Sequence, residues 1–149
     1  MARRALIPAF IALVLVVGIA GVIGLATSSG PDPVASLEEL REEEVIFLDE
    51  HDIYLVYNEG EPLALSTDAQ HTGDEVEFCA SSQMFESPAH GEKFDIRGYY
   101  YGGPARSGLN RYPVRVEGDG VYVDVDHPMG SPPRGAGPAR EPEGSFCVS

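Results

Sequence analysis

The strongest constraint on this chain is an uninterrupted apolar stretch over residues 5–26. Its 22 residues carry no charged or hydroxyl side chain, and as a helix rising about 1.5 Å per residue they would span a hydrocarbon core of about 30 Å. Arg3 and Arg4 precede the stretch and acidic residues follow it. The positive-inside bias then places the N-terminus in the cytoplasm and the remainder outside. We therefore predict a single-pass protein of the cytoplasmic membrane, with residues 1–26 as an anchor in lipid.

Two alternatives concern export. A cleavable signal peptide would have an apolar region of only about 7 to 15 residues, so the length of this stretch favours retention of the anchor. Arg3-Arg4 followed by an apolar run also weakly resembles a twin-arginine export signal. Both alternatives stay open for the export route.

The charge of the chain is concentrated after the anchor. All 24 acidic residues follow position 31, where only eight basic residues oppose them, so this part is about sixteen charges negative. Such a field repels nucleic acid and excludes its binding. The acidity is consistent either with a basic partner or with solubility and salt tolerance alone.

Residues 27–44 are predicted to be a linker with one short helix. The sequence Ser36-Leu37-Glu38-Glu39 fits the capping-box spacing of a helix that runs to about Arg41. Residues 127–149 are predicted to be an extended tail, because five prolines and four glycines among residues 127–144 prevent a helix or a strand ladder.

Between these segments, residues 45–126 contain short runs of strand-forming residues separated by turns. The runs are Val45–Leu48, Ile53–Tyr57, Leu63–Leu65 and Val76–Phe78. Alternating valines over residues 114–125 predict an antiparallel hairpin with one buried face. Without a long amphipathic helix, this pattern predicts a small all-β sandwich or barrel.

Two segments carry a recognisable motif. They read Asp68-Ala69-Gln70-His71-Thr72-Gly73-Asp74 and Phe85-Glu86-Ser87-Pro88-Ala89-His90-Gly91-Glu92-Lys93-Phe94-Asp95. They resemble the paired cluster-binding loops of Rieske proteins, whose patterns are C-x-H-x-G-C and C-P-C-H-G-x-x-F/Y-D. Residues 103–114 are similar to the G-P-A-x-x-x-L-x-x-x-x-V stretch of that family. The resemblance covers residues 45–126 and implies a Rieske-type antiparallel β fold.

The resemblance also implies a set of site positions. In the family, one histidine and one cysteine from each loop bind a [2Fe-2S] cluster, and a further cysteine from each loop forms a bracing disulfide. The histidine positions fall on His71 and His90, the thiolate positions on Ala69 and Ser87, and the bracing positions on Asp74 and Ala89. Alanine offers no donor, and a serine oxygen is a poor match for iron. We therefore predict that the chain holds no [2Fe-2S] cluster and no other cofactor.

His71 and His90 have two further interpretations. With a neighbouring carboxylate they would hold a single Zn, Cu or Ni ion, or else they act as hydrogen-bonding groups of the loops. Cys79 and Cys147 are the only cysteines, and an oxidising compartment predicts a disulfide between them. Two free thiols, or a bridge to a partner, are the alternatives.

Three functional hypotheses follow. The first is a non-catalytic subunit or docking module of a respiratory electron-transfer complex of the quinol to cytochrome c type. The second is a metal-binding or redox protein that uses His71 and His90, or a Rieske electron-transfer protein as the resemblance would imply. The third, an enzyme, lacks support, since Ser87 and the other hydroxyls are in no recognisable nucleophile arrangement.

Overall fold

A computed structural model of the chain describes residues 31–69 and 73–148, which belong to the compact unit Pro31–Ser149. The predicted anchor and His71 lie outside the described residues. The elements are β1 Ala35–Ser36, α1 Leu37–Glu43, β2 Val45–Leu48, β3 Ile53–Asn58, β4 Glu61–Ser66, β5 Glu77–Cys79, β6 Met84–Glu86, β7 Lys93–Asp95, β8 Tyr100–Gly102, β9 Arg111–Tyr112, β10 Val114–Glu117 and β11 Gly120–Val123. Within these residues, no helix is both long enough and apolar enough to cross a membrane.

The strands form three antiparallel sheets, which agrees with the predicted all-β class. Their orders are β1-β11-β10, β2-β3-β4-β9 and β5-β6-β7-β8. The third sheet carries the second motif loop between β6 and β7. The first motif loop leads from the second sheet into the third.

Both faces of strand β3 are buried along most of its length. Ile53 and Leu55 pack into one apolar cluster with Leu40 and Val121. Tyr54 and Val56, which alternate with them, pack into a second cluster that also contains Leu65, Ala69, Val76, Phe85, Phe94, Ile96, Ala105 and Leu109. The second cluster therefore joins the sheet β2-β3-β4-β9 to the sheet β5-β6-β7-β8, which carries the second motif loop.

The turn that separates the strand-forming runs Ile53–Tyr57 and Leu63–Leu65 is a two-residue hairpin turn. Asn58 pairs with Glu61, and the intervening Glu59 and Gly60 have φ values of 54° and 91°. Two consecutive residues at positive φ match the twist of the flanking strands. The hairpin sets the register of β3 and β4.

Helix α1 begins where the sequence predicts and ends two residues after the predicted end at Arg41. The hydroxyl of Ser36 accepts a hydrogen bond from the backbone N–H of Glu39 at 3.0 Å, and the helix continues to Glu43. Leu40 is completely buried. The segment predicted as a linker therefore packs against the core.

The hairpin predicted over residues 114–125 differs from expectation in its burial. Val121 of β11 is fully buried, but Val116 of β10 is 38% exposed. Strand β10 lies at the edge of its sheet and β11 lies between β1 and β10. The valine alternation therefore predicts the strands and the apolar face correctly except at Val116, since Val114, Val123 and Val125 pack against the cluster that contains Val121.

Residues 127–148, which we call the C-terminal strap, contain no strand or helix and lie against the domain. The backbone N–H of Met129 donates to the carbonyl of Arg111 at 2.8 Å, and that of Gly108 donates to Pro132 at the same distance. Farther along, the N–H of Arg140 donates to the carboxylate of Asp95 at 2.9 Å. The predicted tail is thus extended but docked.

Candidate functional site

The first motif loop, residues 69–74, is closed by its own backbone. The N–H of Ala69 donates to the carbonyl of Asp74 at 2.9 Å, and the N–H of Gly73 donates to the carbonyl of Ala69 at 3.1 Å. Gly73 has a φ of 75°, which a glycine adopts without steric cost. Residues 70–72, including His71, lie outside the described part of the chain.

The second motif loop, residues 87–92, repeats this geometry at the same spacing. The N–H of Ser87 donates to the carbonyl of Glu92, and the N–H of Gly91 donates to the carbonyl of Ser87, both at 2.9 Å. Gly91 has a φ of 71°. The two site loops therefore share one backbone design, in which the first residue of each loop both donates and accepts a closing hydrogen bond.

A third segment, residues 102–105, covers the second site loop. A Cβ atom added at Gly103 would lie 2.7 Å from Cα of Glu92 and 2.9 Å from the carbonyl oxygen of Gly91. Ala105, two residues later, is completely buried. The Gly-Pro-Ala sequence thus permits a backbone approach that any side chain at position 103 would prevent.

Asp95, the last residue of β7, fixes the turn that follows the second site loop. Its buried carboxylate accepts hydrogen bonds from the backbone N–H groups of Arg97 and Tyr99, each at 2.9 Å. The Arg97 guanidinium pairs with the same carboxylate at 2.8 Å. Together with the bond from Arg140 of the strap, these contacts make Asp95 a shared anchor for turn and strap.

The predicted site residues separate into an inner and an outer group. Ala69 and Ser87, at the thiolate positions, are buried, whereas Ala89 and His90 are exposed. The hydroxyl of Ser87 accepts a hydrogen bond from the N–H of His90 at 3.4 Å. The inner group offers one hydroxyl and one methyl where the family pattern has two thiolates.

His90 and Asp74 connect the two site loops. Nδ1 of His90 lies 2.6 Å from Oδ2 of Asp74. Both side chains are partly exposed, so solvent screening limits such a pair to about 1 kcal/mol or less. Asp74 stands at a bracing position of the family pattern, and this polar contact joins the loops where that pattern has a disulfide.

Glu92, at the end of the second site loop, carries a buried carboxylate to which none of the described residues donates a hydrogen bond. Its exposed fraction is 0%, and neither side-chain oxygen has a partner in the described part of the chain. A buried carboxylate in that state is costly, which makes it an unusual feature of a folded domain. The sequence points to Glu92 only as a neighbour of His90 and gives no sign of its burial.

The two cysteines lie in another part of the same sheet. Cys79, at the end of β5, forms a disulfide with Cys147 of the strap, with an S–S distance of 2.08 Å. This is the pairing that the sequence predicts. Among the residues described, Cys79, Glu86 and Cys147 are the one group of three potential metal ligands whose atoms lie close together. The described residues of the site loops supply no such group, so the metal interpretation of His71 and His90 stays a prediction.

About half of the chain is similar in sequence to a curated protein. No protein-family profile matches the chain. A stretch of 79 residues is 32% identical to the cytochrome b6-f complex iron-sulfur subunit of Chlorobaculum thiosulfatiphilum, covering 52% of this chain and 44% of that protein. The chain therefore spans less than half the length of this curated relative.

Solved structures also resemble the domain. The plasma membrane Rieske protein PetC3 of Synechocystis PCC 6803 has a TM-score of 0.53 at 23% identity, covering 63% of this chain and 99% of that one. The ferredoxin of carbazole 1,9a-dioxygenase from Nocardioides aromaticivorans IC177 has a TM-score of 0.47 at 27% identity, covering 64% and 97%. The first of these likenesses identifies the fold.

Proposed function

We propose that this chain, a degenerate Rieske-like domain by sequence and by structure, is a membrane-anchored extracytoplasmic subunit or docking module of a respiratory complex of the quinol to cytochrome c type. We further propose that it carries no [2Fe-2S] cluster. The donor set of the two site loops is the observation that carries this proposal.

The residues at the cluster positions do not fit the cluster. A Rieske centre takes two imidazoles and two thiolates from the protein. The thiolate positions hold the methyl of Ala69 and the hydroxyl of Ser87, and the chain contains only two cysteines. Both of these, Cys79 and Cys147, are joined to each other outside the site loops. The chain thus has no thiolate to offer to the site.

The scaffold around the site supports a docking role. Both site loops close through their own backbone hydrogen bonds, and Gly103 and Asp95 hold the second loop between its neighbours. A loop that is already closed, as residues 87–92 are, needs little ordering when a partner binds, which favours association. The negative charge after the anchor favours a partner with a basic surface.

The proposed partner and location rest on two further observations. The curated relative is, by its name, a subunit of a cytochrome complex, which supports association with a complex of that kind. The apolar stretch over residues 5–26 supports the anchor, and a disulfide supports an oxidising compartment.

The test is to purify the full chain from its own membranes and to examine metal content, acid-labile sulfide and bound proteins. We expect no stoichiometric iron or sulfide, no reduced-state iron-sulfur signal in electron paramagnetic resonance, and co-purification of cytochrome-containing subunits. Stoichiometric iron with sulfide would refute the claim that the cluster is absent. Purification of the chain alone from gently solubilised membranes would refute the proposed association.

A second candidate function is a protein that binds one metal ion through His71 and His90. The buried carboxylate of Glu92, which lacks a hydrogen bond among the described residues, favours it, because a cation would compensate that charge. The measurement is the metal content of the full chain beside that of a His71→Ala, His90→Ala double variant. One metal ion per chain, lost in the double variant, would establish this function, and equal content in both chains would exclude it.

A further inference from the structure

Three side chains with metal-binding atoms converge where the C-terminal strap ends on β5 and β6. Cys79 and Glu86 are buried and Cys147 is exposed, and one ligand atom from each lies within 4.8 Å of the other two. Two thiolates and a carboxylate are ligands that Zn²⁺ accepts. In the oxidised chain, however, the disulfide occupies both sulfur atoms.

Glu86 is held in place independently of the disulfide. Its carboxylate, only 1% exposed, accepts hydrogen bonds from the hydroxyl of Ser82 at 2.6 Å and from the backbone N–H of Val148 at 2.7 Å. Because Val148 follows Cys147, Glu86 binds the end of the strap directly beside the sulfur atoms.

Other hydrogen bonds hold the strap on the same surface. The hydroxyl of Ser81 donates to the carbonyl of Ser145 at 2.7 Å, and the N–H of Glu143 donates to the carbonyl of Ser82 at 3.0 Å. None of these contacts uses sulfur. When the S–S bond is broken, they keep Cys147 close to Cys79 and Glu86.

We propose that reduction of this disulfide creates a site for one thiophilic divalent cation of the Zn²⁺ type, with Cys79, Cys147 and Glu86 as its three protein ligands. Zn–S bonds of about 2.3 Å at a tetrahedral angle place the two sulfurs about 3.8 Å apart, and a water molecule completes the coordination. The inference extends beyond the proposed docking function and concerns a separate part of the sheet.

The redox step requires an external dithiol. A thiolate of the dithiol attacks Sγ of Cys147, the exposed sulfur, so that the S–S bond breaks and Cys79 leaves as a thiolate. The second thiol of the reagent then attacks the mixed disulfide, releases Cys147 and closes the reagent's own disulfide. Two electrons reach the protein and the reagent is oxidised. Metal binding then displaces any protons taken up by the two sulfurs.

The cation is expected to bind only the reduced chain, because the disulfide occupies both sulfur atoms in the oxidised chain. Two thiolates close to the Glu86 carboxylate would repel it and each other, which is unfavourable without a counter-ion. A divalent cation compensates most of this charge. Metal binding and the disulfide are therefore mutually exclusive, and a bound ion would protect both sulfurs from reoxidation.

The experiment uses the full chain in mild detergent, reduced with a dithiol, freed of the reagent without oxygen and titrated with Co²⁺ as a coloured substitute for Zn²⁺. We expect one Co²⁺ per chain with sulfur-to-cobalt charge-transfer bands, and none in the oxidised chain. A Cys79→Ser, Cys147→Ser variant should lose the bands. Their absence in the reduced parent chain, or equal Co²⁺ binding by the oxidised chain, would overturn the proposal.

Two substitutions separate Glu86 from other carboxylates. Even indirect partners of metal ligands contribute about 10- to 100-fold to affinity, so Glu86→Gln should weaken Co²⁺ binding by about tenfold or more. Glu77→Gln is the matched control, because Glu77 is exposed and lies opposite Glu86 in the β5–β6 register, and it should bind Co²⁺ normally. If Glu86→Gln does not fold, protection of both thiols from alkylation by Zn²⁺ in the reduced parent chain decides the question, and unprotected thiols would overturn the proposal.

Discussion

The close backbone approach at Gly103 leads to a prediction about stability, for which two other glycines serve as controls. Replacing Gly103 by alanine forces an L-residue into a φ of +91° and places its Cβ 2.7 Å from Cα of Glu92. The left-handed conformation costs about 1 kcal/mol, and overlap with backbone that cannot move away costs about 1 to 3 kcal/mol. We expect Gly103→Ala to lower the free energy of unfolding by about 2 to 4 kcal/mol in total.

Two other glycines separate these contributions. Gly60 has the same φ of +91°, but no atom lies within 4 Å of the position that a Cβ would take there, so Gly60→Ala carries the conformational cost alone, about 1 kcal/mol. Gly102 has open space and no left-handed φ, so Gly102→Ala should change stability by less than about 0.5 kcal/mol. The difference between the variants at positions 103 and 60 therefore measures the overlap.

The assay is urea unfolding of the full chain in mild detergent, followed by near-ultraviolet circular dichroism. The chain has seven tyrosines and no tryptophan, so the tyrosine signal reports on packing. A Gly103→Ala variant no less stable than Gly60→Ala would refute the backbone packing described for the second site loop. In that case the Gly-Pro-Ala segment would not hold the loop in place.

Three further predictions concern separate features. Ser36→Ala should cost about 1 kcal/mol by removing the helix cap, and an unchanged midpoint in urea would contradict that role. Cys79→Ser with Cys147→Ser should lower the free energy of unfolding by about 4 kcal/mol, because the disulfide closes a long loop; equal stability of oxidised and reduced parent chains would contradict it. The hydrogen bond between Asp124 and His127 raises the pKa of His127 above 6.5 and lowers the pKa of Asp124 below 3.8. The pair is therefore stabilising while Asp124 is ionised and His127 is protonated. This contribution is lost as pH rises through the raised pKa of His127 or falls through the lowered pKa of Asp124. In an NMR titration, Asp124→Asn should return the His127 pKa toward 6.5, and an unmoved pKa would exclude the pairing.

The sequence predicts those strands and turns whose signal is local. The β3–β4 hairpin follows from strand-forming runs on either side of a Glu-Gly turn, and the helix follows from the cap at Ser36. Strand β6 has no such signal, since Met84–Glu86 is only three residues long and all three are buried. A strand buried on both faces shows no alternation of apolar and polar residues.

In the candidate site, too, the sequence predicts the features that depend on local residue order and misses those that depend on the fold. The resemblance locates the two loops and the exchanged cysteine positions, because these depend on residue order alone. It does not show that Ala69 and Ser87 face inward while Ala89 faces solvent, since loop closure determines these directions.

The roles of the buried carboxylates are equally hidden in the sequence. Glu86 binds a backbone group 62 residues away and Asp95 binds one 45 residues away. Only the folded chain brings these partners together. Periodicity and spacing within a short window therefore cannot reveal them.

The closure of the site loops through main-chain atoms has a consequence for how such a domain can change. Every closing hydrogen bond uses a backbone N–H and a carbonyl, so none of them depends on a side-chain atom. An exchange of the side chain at 69, 74, 87 or 89 therefore removes no closing hydrogen bond, and burial limits only the size of the side chains at 69 and 87. The backbone defines the shape of both loops, so donor atoms at these four positions can be removed, or engineered back, one residue at a time.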